Sequence, residues 1–182
     1  MIDKNSRIDM LLHRQDISDC LARFSRGIDR FDKDLFLSAF HKDAEISAGP
    51  FVGGPADLYE WAAQMHEQGQ VATQHNLLNH SCDLDGDTAH TETYYLFVGR
   101  NRDDSNWMAG GRYIDRLECR DGEWKISLRT NVIEWSGLVP TTPIPFTDVA
   151  DINANGASLR SKDDMSYVRP LVNKRQKNIP TD

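Results

Sequence analysis

The stretch Asp16–Ile46, DISDCLARFSRGIDRFDKDLFLSAFHKDAEI, decides how the chain is read. Ile17, Cys20, Leu21, Phe24, Ile28 and Phe31 recur at helical spacing and form one apolar stripe that needs a partner surface. Asp29 falls in the Gly27-Ile28-Asp29-Arg30 segment, where that helix should end. Asp32 is the expected N-cap of a second short helix, with Leu35, Phe36, Ala39 and Phe40 on its apolar face. A turn at His41-Lys42-Asp43 should then lead into a strand beginning near Ala44. A carboxylate beside an apolar helical face is a first hint of chemistry. Taken alone, a solvated aspartate is its ordinary reading.

Upstream, the first residues are a polar lead-in, helical from about Ile8. Downstream, Ala44–Ser47 reads as a short strand, punctuated by Gly49-Pro50 and Gly53-Gly54-Pro55. Pro55 to about Gln68 reads as a third helix, with Pro55 in its first turn and Leu58, Trp61, Ala62 and Met65 on one face. The period then changes. Thr73–Leu84 is a strand, Asp85-Gly86-Asp87 a hairpin turn, and a second strand starts at Thr88. Asn101–Asn106 is the next turn, Trp107–Glu118 a strand, Asp121-Gly122 a turn and Trp124–Trp135 the last long strand. Three helices followed by an antiparallel meander predict an α+β fold. Strands of this length must curl, with Gly110-Gly111 a place to bend, so the sheet should enclose a cavity against the helices.

The chain has 182 residues, which fits one domain with a real core, over residues 1–136. From Gly137 the composition shifts to a polar tail, residues 137–182, with Pro140, Pro143, Pro145, Pro170 and Pro180. Ser158–Lys162 is the one place there for a short turn. The tail is expected to run extended and to pack on the domain or on a neighbouring subunit; disorder is the alternative. The formal net charge of −7 argues against nucleic acid as a partner. No apolar run approaches the ~20 residues that span a bilayer. The N-terminus lacks the pattern of a secretory signal. Cys20, Cys82 and Cys119 form no framework, and together these features point to a cytoplasmic protein.

Metal chemistry finds little support. The six histidines show no HxH or HExxH spacing, no CxxC pair occurs, and there is no Gly-rich phosphate loop. Asp83–Asp87 superficially resembles a calcium loop, but Tyr94 stands where its glutamate should be. What remains is Asp29, His75 and Arg129. Histidine, with an ordinary pKa of about 6.5, is a natural general acid/base. A carboxylate fixes its tautomer, and an arginine in a cavity stabilises a developing anion. Arg129 has the opposite parity to Trp124, Ile126 and Leu128, so either a bulge re-aims it or the apolar row faces an oligomer interface.

Three pieces of the chain carry a resemblance. They are IxDCLARFSRGIDRFDKDLFLSAFHKDAEI, TQHNLLNHSCDLDGDTAHTETYYL and GGRYIDRLECRDGEWKISLRTNVIEW, spanning about Asp16–Trp135. In order and spacing they resemble the nuclear transport factor 2-like superfamily, in its SnoaL-like, polyketide-cyclase-like branch. The resemblance implies a cone-shaped fold with a pocket between the first helix and a curved antiparallel sheet. Within the branch the chain most resembles the lyases hexachlorocyclohexane dehydrochlorinase, bile acid dehydratase and, more remotely, scytalone dehydratase. By that resemblance Asp29 and His75 are the acid/base pair, and Arg129, in WKISLR, is a third catalytic residue. Phe24 stands where those enzymes carry Lys or Tyr, five residues before the aspartate, and is expected in the substrate site. Asn79 shares the parity of His75 and is expected to bind a substrate oxygen, while Tyr94 or Tyr113 would supply the missing phenol.

The expected function is therefore a lyase without cofactor or metal. It would act on a small apolar cyclic or aromatic molecule and expel water, halide or a small aldehyde. The alternatives are an isomerase or cyclase of the same fold, a non-catalytic ligand-binding module, and the small structural subunit of a ring-hydroxylating dioxygenase. The resemblance also implies a homo-oligomer, a trimer ahead of a dimer, with no membrane or nucleic-acid partner.

Overall fold

In a computed structural model of the chain, which describes residues 4–176, three helices and six strands occur in the order α1 (Lys4–Asp29), α2 (Lys33–Leu37), β1 (Phe40–Ala48), β2 (Phe51–Gly53), α3 (Pro55–Gly69), β3 (Gln70–Asp85), β4 (Thr88–Asn101), β5 (Asn106–Arg120) and β6 (Glu123–Val139). The expected α+β architecture is present. The helices lie against a curved, open sheet of order β2-β1-β6-β5-β4-β3. Strands β3 to β6 form the antiparallel meander. Strand β1 adds to β6 in parallel, and the short β2 pairs antiparallel with β1 at the edge. Asp121 and Gly122 both have positive φ, the backbone of a tight two-residue hairpin.

The α1 stripe is buried as Ile17, Cys20, Leu21, Phe24, Gly27 and Ile28. Phe31 is not part of it. At φ 51° it lies past the helix end, where the chain reverses, and its ring sits under the Arg160 guanidinium at 4.4 Å. Gly27 lets α2 approach, because a Cβ there would stand 2.5 Å from the Phe36 nitrogen. Asp32 caps α2 by accepting from the Leu35 N–H. Strand β1 begins at Phe40 rather than Ala44, so His41-Lys42-Asp43 is strand and not turn. The Ile126 N–H donates to Ala39 and Phe40 pairs with Ile126, so β6 draws these residues into the sheet and the register slips between Phe40 and Glu45.

Bulges settle which face each strand residue uses. Leu117 pairs with Ile126 but Arg116 with Leu128, so Ser127 is an extra residue in β6 and the faces invert there. Leu77 pairs with Tyr95 and His80 with Thr93, leaving Leu78 and Asn79 opposite Tyr94 alone. A third irregularity falls at Gly110–Gly111, the expected bend. A Cβ on Gly111 would lie 2.0 Å from the Val132 carbonyl oxygen.

The tail returns to the helices. The Tyr167 hydroxyl donates to Asp32 Oδ2 at 2.8 Å, and the Arg26 guanidinium donates to Ser166 and lies over the Tyr167 ring. Arg160 donates to the carbonyls of His66 and Gln70 at 3.0 and 2.6 Å, tying down the end of α3. Tail residue Pro180 lies outside the described residues. Among the described residues, no helix is long and apolar enough to cross a membrane.

Candidate active site

Asp29 is the last residue of α1 and His75 lies near the start of β3. Sheet curvature brings them together. His75 Nδ1 lies 2.7 Å from Asp29 Oδ1, and the His75 backbone N–H donates to Oδ2 at 2.8 Å. A carboxylate only accepts, so Nδ1 carries the proton and Nε2 keeps the lone pair. Phe97, the β4 partner of His75, meets the ring edge-on at 4.9 Å, with Phe24 at 6.3 Å.

His75 lines a cavity of about 220 Å³ between α1, α3 and the sheet, with Asp29 holding it from behind. Its walls are almost wholly apolar, with Phe24, Ile28, Trp61, Tyr95, Phe97 and Trp107 prominent. In such surroundings electrostatic interactions are strengthened, because little water competes for the polar groups.

Arg129 reaches the same region but is already engaged. It stands directly across from Asp115 in the β5–β6 register, and its Nε and Nη2 donate to the two Asp115 oxygens at 2.7 Å each. The inversion at Ser127 turns it inward, where it is 1% exposed. Phe24 and Tyr113 lie over the guanidinium at 4.0 and 4.3 Å, each an attractive cation–π contact. Burial works against the charge, and Asp115 more than offsets it, holding the guanidinium pKa above its ordinary value. Arg129 Nη1 has no hydrogen-bond partner among the described residues. With Asp115 the unit is neutral, so it offers a fixed dipole and the N–H donors of Nη1 rather than net charge.

Phe24 and Tyr113 line the cavity, and burial drives the Tyr113 phenol far above its ordinary pKa, so it stays protonated. Asn79 and Tyr94 do not belong to the cavity wall. Asn79 sits in the β3 irregularity that breaks its shared parity with His75, and it faces solvent. Tyr94 is 43% exposed and alternates with Tyr95, which takes the inward side and stacks on Tyr113 at 4.5 Å. Sequence reasoning missed Tyr95, Asp115 and His66. The inward alternation of Tyr95 and Phe97 was the signal available for the first. His66 lies one position from Met65 on the α3 face, and its ring stacks on Phe97 at 5.3 Å. Among the described residues, no group of His, Cys, Asp and Glu side chains is placed to hold a metal ion.

A family model described as a SnoaL-like domain matches residues 9–130. No curated protein matches the chain. Among solved structures, hexachlorocyclohexane dehydrochlorinase LinA-type3 from Novosphingobium barchaimii is 21% identical, with a TM-score of 0.66 over 78% of this chain and 99% of that one. A protein assigned as a candidate scytalone dehydratase from Novosphingobium aromaticivorans is 20% identical, with a TM-score of 0.63 over 72% and 91% of the two chains. A Mycobacterium tuberculosis protein of unknown function is 22% identical, with a TM-score of 0.62 over 78% and 87%. At these identities the likeness establishes the fold.

Proposed function

We infer, for a chain that belongs to the SnoaL-like domain family of the nuclear transport factor 2-like superfamily, that the cavity carries out acid/base elimination on a small apolar cyclic or aromatic substrate. The observation that carries this reading is the carboxylate-held His75 in the wall of an apolar cavity. His75 Nε2 takes a proton from a substrate carbon. The electron pair of that C–H bond becomes the new C=C bond, and the neighbouring leaving group departs with its own pair. Asp29 stabilises the imidazolium that forms and holds the ring in place. When the leaving group is hydroxide, the imidazolium returns its proton and water is released. Halide leaves without a proton, and the imidazolium gives its proton to solvent.

If His75 instead takes a hydroxyl proton, that oxygen's electron pair forms the C=O of a small aldehyde as the C–C bond breaks. The carbon that keeps the broken bond's pair takes the proton back from the imidazolium. Return of the proton to a different carbon makes the reaction an isomerisation. Proton transfer and orientation suffice for each variant, so the proposed reaction is independent of a cofactor.

The test is product analysis by mass spectrometry on cyclic alcohols and halides, with wild-type protein and His75→Ala in parallel. Turnover that depends on His75 supports the reading. Binding without turnover across the panel would favour a ligand-binding module.

A further inference from the structure

The cavity wall holds a second histidine, His66, whose hydrogen bonds can be followed from the surface inward. Asp103 accepts from the Ser105 hydroxyl at 2.6 Å, and Ser105 contacts hold its carboxyl below the ordinary value, so it acts only as an acceptor. Ser105 Oγ has thus spent its proton and accepts from Asn101 Nδ2 at 2.9 Å. That orients the Asn101 amide, whose Oδ1 accepts from Gln70 Nε2 at 3.0 Å. Gln70 therefore presents Oε1 to His66 Nδ1, at 3.1 Å. An amide oxygen only accepts, so Nδ1 carries the proton and Nε2 the lone pair.

His66 is 4% exposed, packed between Phe97 and His75, with its ring centroid 5.5 Å from that of His75. Its Nδ1 edge is tied back to Gln70, leaving the Nε2 edge for the cavity, and no described residue hydrogen-bonds Nε2. Burial, reinforced by neighbouring His75, lowers the imidazole pKa from 6.5 to about 4, so it can accept a bond without taking the proton.

We propose that His66 Nε2 accepts a hydrogen bond from a hydroxyl group of the substrate, so that the pocket selects hydroxylated single-ring compounds over halogenated ones of the same size. A donor-free ligand would strip water from this lone pair and leave it unpaired, a penalty that sites built around a hydrogen bond use for discrimination. The size follows from the volume. An engineered cavity of about 150 Å³ takes benzene. One of about 220 Å³ accommodates a ring with substituents. The assignment of the hydroxylated compound as substrate rests on the Asp29–His75 reading, but its selective binding does not.

Phenol and toluene, alike in shape and differing in one donor, are the probes, titrated into the full-length protein by ligand-observed NMR. His66→Phe should weaken phenol on the order of tenfold or more and leave toluene binding unchanged or tighter. Asn101→Leu should free the Gln70 amide and weaken phenol alone, and Asn101→Asp, which keeps an acceptor for Gln70, should restore it. Nitrogen-15 NMR of the wild-type protein should show His66 protonated at Nδ1 and bare at Nε2, a readout that needs no variant to fold. The opposite tautomer overturns the proposal. So does wild-type protein that does not bind phenol, or a His66→Phe protein that keeps its phenol affinity or loses both ligands together. His75→Ala should lower turnover by roughly 10²–10⁴-fold yet keep the phenol-dependent effect of His66, so the dyad and this selectivity fail on separate measurements.

Discussion

Asp29 grips His75 at two points, one oxygen on the imidazole Nδ1 at 2.7 Å and the other on the backbone N–H at 2.8 Å, across 46 positions of sequence. The grip compensates a local mismatch. Asp29 ends α1, and the C-terminal end of a helix disfavours an anion by about 0.3–1 kcal/mol. Two N–H donors from β3 offset that cost and lock the ring by side chain and main chain together. Local rules broken and then compensated by tertiary contacts are typical of functional sites.

Replacing either member should therefore be severe. His75→Ala should lower kcat by roughly 10²–10⁴-fold with the fold intact, the usual worth of a positioned acid/base group. Asp29→Asn should be comparably damaging, because an amide can hold the wrong tautomer and cannot stabilise an imidazolium. The double variant should be hardly worse than either single one. Circular dichroism and turnover on a converted substrate check all three.

The Arg129–Asp115 pair predicts an asymmetry in stability. Asp115→Ala strands a guanidinium that is 1% exposed, and should cost about 3–5 kcal/mol in urea unfolding. Replacing both partners with apolar residues of similar volume should recover most of that loss, since no charge is then left buried alone.

Phe24→Ala should act on packing rather than proton transfer. The ring covers Arg129 at 4.0 Å and contacts Phe36, Phe40 and Tyr113. Its loss should destabilise by about 3–5 kcal/mol and enlarge the cavity. In steady-state kinetics KM should rise by more than kcat falls.

His66 should leave a mark on the pH dependence of stability. Its folded pKa, about 4, lies below the 6.5 of an unperturbed histidine, so the unfolded chain binds the extra proton first. The contribution of the neutral ring is fully present above pH 6.5 and is lost as pH falls through about 4. The span corresponds to roughly 3 kcal/mol. Urea midpoints measured across this window should fall for the wild type and flatten for His66→Phe.

Association should use the outer face of the sheet, where Leu128 and Trp135 of β6 are 37% and 51% exposed. A homotrimer is expected ahead of a dimer. Light scattering at micromolar concentration should return about three times the chain mass, and a monomer mass would rule the assembly out.

The sequence by itself determined much of this molecule. The 3.6-residue spacing from Ile17 to Ile28 marked the buried face of α1, and Asp32 marked the start of α2. The Asp-Gly turns laid out the meander, because turn chemistry is local and each hairpin carries its own signal. The motif resemblance pointed to Asp29 and His75, which the structure brings into contact. Side-chain direction was legible only between irregularities. One extra residue at Ser127 turned Arg129 inward, and the irregularity at Leu78–Asn79 separated Asn79 from His75, since an added residue inverts every position beyond it. The engagement of Arg129 by Asp115, and of His66 through Gln70 and Asn101, was decided only by the tertiary structure. Those partners meet through strand register and helix packing, and no periodicity within a segment records which distant acceptor will stand within 3 Å of a given donor.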